Sequence, residues 1–207
     1  YMKRFAGLSE DGLSLWYYTD KETNEEKTTT TYSTGDFYLC GDPNPDLYGG
    51  FGTSITFHGF DLSTQFSYLV GGLTYDYGYA GMMGNPTATS VGNRWHKDVL
   101  KAWSPENPSS TIPRWHFNDL NTTGSSDRFL IDGSYLNLQN IQVGYTLPDS
   151  WTSHLKIKNL RLYFVCDNVY YWSKRKGLDP RRSISGVGTS GKIAPFRTYS
   201  GGISLQF

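Results

Sequence analysis

Two adjacent runs of alternating residues restrict this chain more than any other feature. Phe51, Thr53, Ile55 and Phe57 alternate with Gly52, Ser54, Thr56 and His58. After Gly59, Phe60, Leu62, Thr64, Phe66, Tyr68 and Val70 alternate with Asp61, Ser63, Gln65 and Ser67. A period of two is that of a β-strand. If His58-Gly59 forms a two-residue turn, Phe57 and Phe60 face each other across it, and both apolar rows fall on one side of a hairpin. The other side is small and polar along most of both strands. Such a face suits the wet interior of a barrel better than a dry core.

The same division recurs in three further stretches. At the end of the sequence Tyr199, Gly201, Ile203, Leu205 and Phe207 share one parity, and Ser200, Gly202, Ser204 and Gln206 the other. In a barrel this would be a strand with lipid on one side and the lumen on the other, its last aromatic at an interface that favours it. Within 134–147, Ile141, Val143, Tyr145 and Leu147 alternate with Gln142, Gly144 and Thr146, whereas Leu136 and Leu138 have the opposite parity. Either a β-bulge near Asn140 reconciles the halves, or the upper half stands above the membrane, where its outward face need not be apolar. Leu160, Leu162, Phe164 and Cys166 alternate with Arg161, Tyr163, Val165 and Asp167, and the two charged residues suit a lumen.

The expectation is therefore five antiparallel strands, over 51–57, 60–70, 134–147, 158–170 and 197–207. Between them lie short turns and long polar connections. Residues 1–49 read as a long surface loop with at most a hairpin, since Gly41-Asp42-Pro43-Asn44-Pro45-Asp46 makes a rigid, non-helical connector. Leu73 to Tyr79 reads as a continuation of the preceding strand. In 80–127, Trp95, Val99, Ala102 and Trp103 recur at helical spacing, which predicts one short loop helix within 93–103, stopped by Ser104-Pro105. Outer-membrane barrels keep short turns in the periplasm and long loops outside, so 1–49, 71–133 and 171–196 would be extracellular. Five strands cannot close, because bacterial barrels begin at eight, so both edges must pair with strands outside this chain.

Composition excludes several functions. Nineteen basic and nineteen acidic residues leave no net charge, which disfavours nucleic acid as a partner. No segment approaches the roughly 20 apolar residues of a membrane-spanning helix, but barrel strands need only about 9 to 11. No N-terminal signal pattern is present, as expected of a processed or truncated chain. Cys40 and Cys166, far apart, define neither a disulfide framework nor a metal site. His58, His96, His116 and His154 show no ligand spacing. Asn118-Asp119-Leu120-Asn121 through Asp127 reads as a polar loop, because it lacks the ordered alternation of a calcium loop. No nucleophile elbow, P-loop or dinucleotide fingerprint appears, so no catalytic residue, cofactor or metal ligand is assigned and no enzyme activity is expected. Aromatics reach 16%, with 16 Tyr. Trp16, Tyr17, Trp115 and Trp172, in or beside loops, are candidate substrate contacts, because a ring offers a flat apolar face to a sugar.

Several stretches, in order, resemble one family. They are Leu47-Tyr48-Gly49-Gly50-Phe51-Gly52-Thr53-Ser54 followed by Phe57-His58-Gly59-Phe60-Asp61-Leu62-Ser63; Tyr68 through Gly71-Gly72 to Tyr75-Asp76; Ile112-Pro113-Arg114; Ser134-Tyr135-Leu136-Asn137-Leu138-Gln139-Asn140 through Gly144-Tyr145-Thr146-Leu147-Pro148; Gly177-Leu178-Asp179-Pro180; and the terminal strand. Together they resemble the C-terminal region of SusC/RagA-type TonB-dependent outer-membrane transporters of the Bacteroidetes. The resemblance implies an all-β fold: a portion of a 22-stranded transmembrane barrel with a plugged lumen. The plug domain and the TonB-contacting segment would lie outside 1–207. It also implies energy from TonB, a SusD-like surface lipoprotein as partner, outer-membrane lipid around the wall, and an oligosaccharide or peptide substrate. The row Tyr199, Ile203, Leu205 and Phe207 resembles the signal by which the barrel-assembly machinery recognises its substrates. His58 stands where the family often has a basic residue, and Arg181 where an acidic one commonly follows the Asp-Pro pair.

The rival architecture is a soluble β-sandwich that shows loop aromatics to a carbohydrate. A sandwich buries its apolar rows against a second sheet, whereas a barrel leaves them bare to lipid. Coverage of Ile55, Phe57, Phe60, Leu62, Ile203 and Leu205 decides between the two.

Overall fold

The computed structural model describes residues 1–88, 94–121, 124–152, 157–174, 179, 181 and 195–207. The chain divides into two units, one drawn from 1–43 and 73–132, the other from 44–72, 133–181 and 192–207. The first strands, β1 (Met2–Lys3), β2 (Phe5–Leu8), β3 (Ser14–Thr19), β4 (Glu26–Thr29) and β5 (Phe37–Tyr38), belong to the first unit. Next come β6 (Leu47–Phe57) and β7 (Phe60–Val70), then β8 (Leu73–Tyr75) and the helix α1 (Tyr77–Met82). β9 (Leu130–Asp132), β10 (Tyr135–Thr146), the single turn α2 (Asp149–Thr152), β11 (Asn159–Ser173) and β12 (Thr198–Gln206) complete the order.

The second unit is one antiparallel sheet in the order β12-β11-β10-β7-β6. All five expected strands are present, four of them with shifted ends, β10 being one residue shorter at each end than expected. β6 begins at Leu47, so Tyr48-Gly49-Gly50 is strand rather than loop, and β11 runs on to Ser173. β12 starts one residue later than expected. The β6–β7 turn is formed by His58 at φ 47° and Gly59 at φ 85°, the two positive values that a type I′ hairpin demands. Phe57 pairs with Phe60, and the ladder runs without a break to Leu47 opposite Val70.

The parity conflict in β10 is resolved by a bulge. Leu138 pairs with Phe66 while Asn140 pairs with Gln65, so Gln139 is the extra residue. The insertion returns Leu136 and Leu138 to the side of Ile141, Val143 and Tyr145. β11 shifts at the same level, where Asn168 takes φ 52°.

The first unit corrects the reading of 1–49 and 71–133 as loop. β2, β3 and β4 form a three-stranded antiparallel sheet, β1 pairs with β5, and β8 pairs with β9. Tyr75, Met83 and Phe129 are its buried centre, with Met2, Tyr79, Val99 and Ile112 packed around them. Burial raises the pKa of the Tyr75 phenol above its ordinary 10.0. Lys3 is buried as well, its ammonium donating to the carbonyls of Tyr32 (2.5 Å), Ser33 (3.2 Å) and Gly35 (2.7 Å). A buried charge is tolerable only when its hydrogens are matched in this way.

Helix also departs from expectation. The predicted helix is a 3-10 turn over Lys97–Lys101, entered through His96, whose Nδ1 accepts from the Asp98 amide. The strand expected to run through Tyr79 instead stops at Tyr75, because Asp76 caps α1 by accepting from the Tyr79 amide at 2.9 Å. Asn93 at the start of the expected helix, His154, and the basic residues Arg175, Lys176 and Arg182 lie outside the described residues.

Candidate functional site

The functional surface is the five-stranded sheet, and its chemistry follows from its two faces. Cross-strand pairing aligns residues into rows. One row is Phe57, Phe60, Tyr145, Leu162 and Ile203; the next is Ile55, Leu62, Val143, Phe164 and Gly201. Above them lie Thr53, Thr64, Ile141, Cys166 and Tyr199, then Phe51, Phe66, Leu138 and Tyr170, then Gly49, Tyr68, Leu136 and Trp172. Phe51 stacks on Phe66 at 4.9 Å, and Phe60 meets Tyr145 at 4.4 Å.

This apolar face is bare. Phe57 is 70% exposed, Ile203 65% and Leu62 37%, with Ile55, Phe60 and Leu205 between these limits. Among the described residues no second sheet covers them, so the β-sandwich reading fails. A face of this extent and composition fits hydrocarbon, not water.

The opposite face carries Ser54, Ser63, Gln142, Val165 and Ser200 in one row, and Gly52, Gln65, Asn140, Asp167 and Thr198 in the next. Asn140 donates to Asp167 at 2.7 Å across β10 and β11. Lower down, Arg161 on β11 reaches over β10 to Asp61 on β7, its Nε donating to Oδ1 at 2.9 Å and its Nη2 to Oδ2 at 2.5 Å. Gly144 makes this bridge possible, since a Cβ there would meet both the guanidinium and the carboxylate. A trough of about 400 Å³ lies over Gly52, Ser54, Ser63, Gln65 and Asn140. The face thus offers hydroxyls, amides, the Asp61–Arg161 ion pair and the Asp167 carboxylate hydrogen-bonded to Asn140, groups that can hydrogen-bond a passing solute. Among the described residues, no three His, Cys, Asp or Glu side chains converge on a point where a metal ion could sit.

The four candidate substrate contacts are not brought together. Trp16 is 1% exposed and packed edge-on against Phe5 and Tyr32, so it is a core residue of the first unit and has no free ring face. Trp172 stands on the apolar face in the row of Leu136, its ring edge against Tyr170, and so faces the lipid side rather than the lumen. Tyr17 is half-buried, with the Arg4 guanidinium 4.1 Å from its ring centre. Trp115 is exposed, and its indole and that of Trp95 both donate to the Gly84 carbonyl. Tyr199, Ile203 and Leu205 share the apolar face of β12, and the neighbouring Phe207 is exposed. Sequence reasoning missed Asn137 and Arg181, whose contact spans 44 positions; the Asp179-x-Arg181 spacing was its only local trace.

No family model matches the sequence. Among curated proteins, the chain is 30% identical to TonB-dependent receptor P3 of Formosa agariphila over 98% of its own length and 20% of the receptor. It is 27% identical to TonB-dependent receptor SusC of Bacteroides thetaiotaomicron over 86% of its length and 17% of that protein. A solved structure described as the RagAB peptide transporter superposes on the whole chain with a TM-score of 0.79 at 25% identity. The chain belongs to the SusC/RagA-type TonB-dependent transporters. It spans about a fifth of the length of these curated relatives and 22% of the solved chain. Its sheet is accordingly a portion of a transmembrane barrel, with the apolar rows toward lipid and the Ser, Asn and Gln rows toward the lumen. A second RagAB structure, described as the peptide importer in the closed-closed state, gives a TM-score of 0.75 over the same share.

Proposed function

We propose that the chain is the C-terminal part of the barrel of an outer-membrane importer, energised through TonB and working with a SusD-like lipoprotein. The plug and the TonB-contacting segment would belong to the remainder of the protein. The observation that carries this reading is the bare apolar face across five strands, opposite a polar, hydrogen-bonding face. Oligosaccharides fit that second face, because hydroxyl and amide side chains match sugar hydroxyls at no cost in buried charge. Peptide is the second reading, favoured by the solved relatives described as peptide transporters. Tyr17 and Trp115 remain the proposed aromatic contacts of the extracellular side, and Tyr199, Ile203, Leu205 and Phe207 the proposed assembly signal.

Uptake by cells tests the proposal. Deleting the full-length protein should abolish uptake of a fluorescent oligosaccharide, and inactivating TonB should abolish it equally. Loss of labelled peptide uptake instead would select the second reading. Uptake that survives without TonB would contradict both.

A further inference from the structure

Above the bulge, Ser67, Asn137 and Tyr171 stand side by side on the lumen face of β7, β10 and β11. Asn137 is only 4% exposed, although Ser54 and Ser200 lower on this face are exposed. Arg181 contributes to its cover. Its Nη1 donates to Asn137 Oδ1 at 2.6 Å, while its Nε and Nη2 donate to Asp179 Oδ1 and Oδ2 at 2.7 and 2.6 Å. The guanidinium also lies 4.7 Å from the centre of the Tyr171 ring. Asn137 in turn donates to Ser67 Oγ at 3.3 Å. Every nitrogen of Arg181 is therefore engaged, and Asp179 and Arg181 side chains are 7% and 13% exposed.

A bidentate carboxylate–guanidinium pair with a ring against the cation is a geometry that arginine alone provides. Side chains on a loop extending away from the wall would stay in water; these two are withdrawn from it and seated on the wall. β11 ends at Ser173, and Arg181, eight positions further on, lies against the lumen face of the same sheet.

We propose that Asp179 and Arg181 form a clasp seated on Asn137 and Tyr171 that narrows the import path from one side. Arg181 is a positioning residue, and the clasp limits the size of solute that passes this part of the wall. The inference rests on the transporter reading and places two side chains on the lumen face within a stretch that the sequence implied to be an outward loop.

The test uses the full-length protein, otherwise free of cysteine, with Ser67→Cys as a reporter on the wall beside the clasp. Intact cells are treated with a small methanethiosulfonate or with a polyethylene-glycol maleimide, neither of which crosses membranes. With Arg181 present, the small reagent should react and the large one should not. Arg181→Ala removes charge-assisted bonds and should speed the large reagent at least about tenfold. Asp179→Asn should act in the same direction, Arg181→Lys should fall between, and Asp179→Arg with Arg181→Asp should restore protection. A large-reagent rate unchanged by Arg181→Ala and Asp179→Asn, in protein correctly placed in the outer membrane, overturns the clasp alone. Absence of the protein from the outer membrane overturns the transporter reading and the clasp with it.

Discussion

The two units treat the same residue types in opposite ways. In the first, Trp16, Tyr75 and Phe129 are buried and even a lysine is drawn inside. In the second, Phe57, Phe60 and Ile203 stand in the open, while Ser63 and Ser67 on the other face are better covered. On the transporter reading the difference is one of solvent: a unit that folds in water hides its rings from it, whereas a wall in a bilayer turns them to hydrocarbon and keeps polar side chains for the channel. Exposure of an aromatic ring thus means different things in the two halves of one chain. Trp16 and Trp172 illustrate this, since neither presents a ring to a lumen solute, for opposite reasons.

Breaking the buried side of the comparison should have the largest effect. Trp16→Ala deletes a ring enclosed by Phe5 and Tyr32 and should cost the first unit about 3 to 5 kcal/mol. Limited proteolysis of the full-length protein should then cut within 1–43, while the heat-modifiable mobility of the barrel persists. Loss of both signals together would show that the units do not differ as described.

A pair of adjacent substitutions addresses the wall. Leu62→Arg puts a charge on the lipid face and should cost about 2 to 4 kcal/mol if it lies near the bilayer midplane. Ser63→Arg, on the lumen face, should be nearly silent. Urea unfolding in lipid vesicles measures both, and equal costs would count against the assignment of faces.

A smaller effect is expected from pH. The Tyr75 phenol has its pKa raised by burial, so the folded first unit holds that proton more tightly than the unfolded chain does. Its stability is full below the ordinary phenol pKa of about 10 and falls as pH rises from there toward the raised folded value. Tyr75→Phe should flatten that loss in a proteolysis series across alkaline pH, and an unchanged slope would remove Tyr75 as its source. Smallest of all, Arg161→Met should cost at most about 1 kcal/mol, because the ion pair with Asp61 is partly solvated. A stability shift that vanishes in high salt would support this, and a salt-independent one would not.

The wall was legible in the sequence because each of its strands repeats one rule, apolar on alternate positions, over seven residues or more. The defect in that rule, the parity of Leu136 and Leu138 against Ile141, left a bulge near Asn140 as one of two readings, and the pairing places the extra residue at Gln139. The first unit was not legible, because strands such as Met2–Lys3 and Phe37–Tyr38 are too short to carry a period. Its stability comes from contacts distant in sequence, among them Phe5 with Asp127 and Tyr32 with Asn121. The α1 helix turned on a single cap at Asp76, and the helix expected from Trp95, Val99 and Trp103 shortened to 3-10 geometry, since spacing alone does not distinguish the two. Of the site, the ion pair of Asp61 and Arg161 was visible only as two charges on a lumen-type face. Their meeting across Gly144 depends on the register of three strands.

Spin labels at neighbouring wall positions of the full-length protein in liposomes test the two-faced wall most directly. Labels at Leu62, Phe164 and Ile203 should relax with oxygen, which concentrates in lipid, and labels at Ser63, Val165 and Ser204 with a water-soluble nickel chelate. Alternation at every step is the predicted result. Equal access of the nickel chelate to both sets would contradict a membrane-spanning wall.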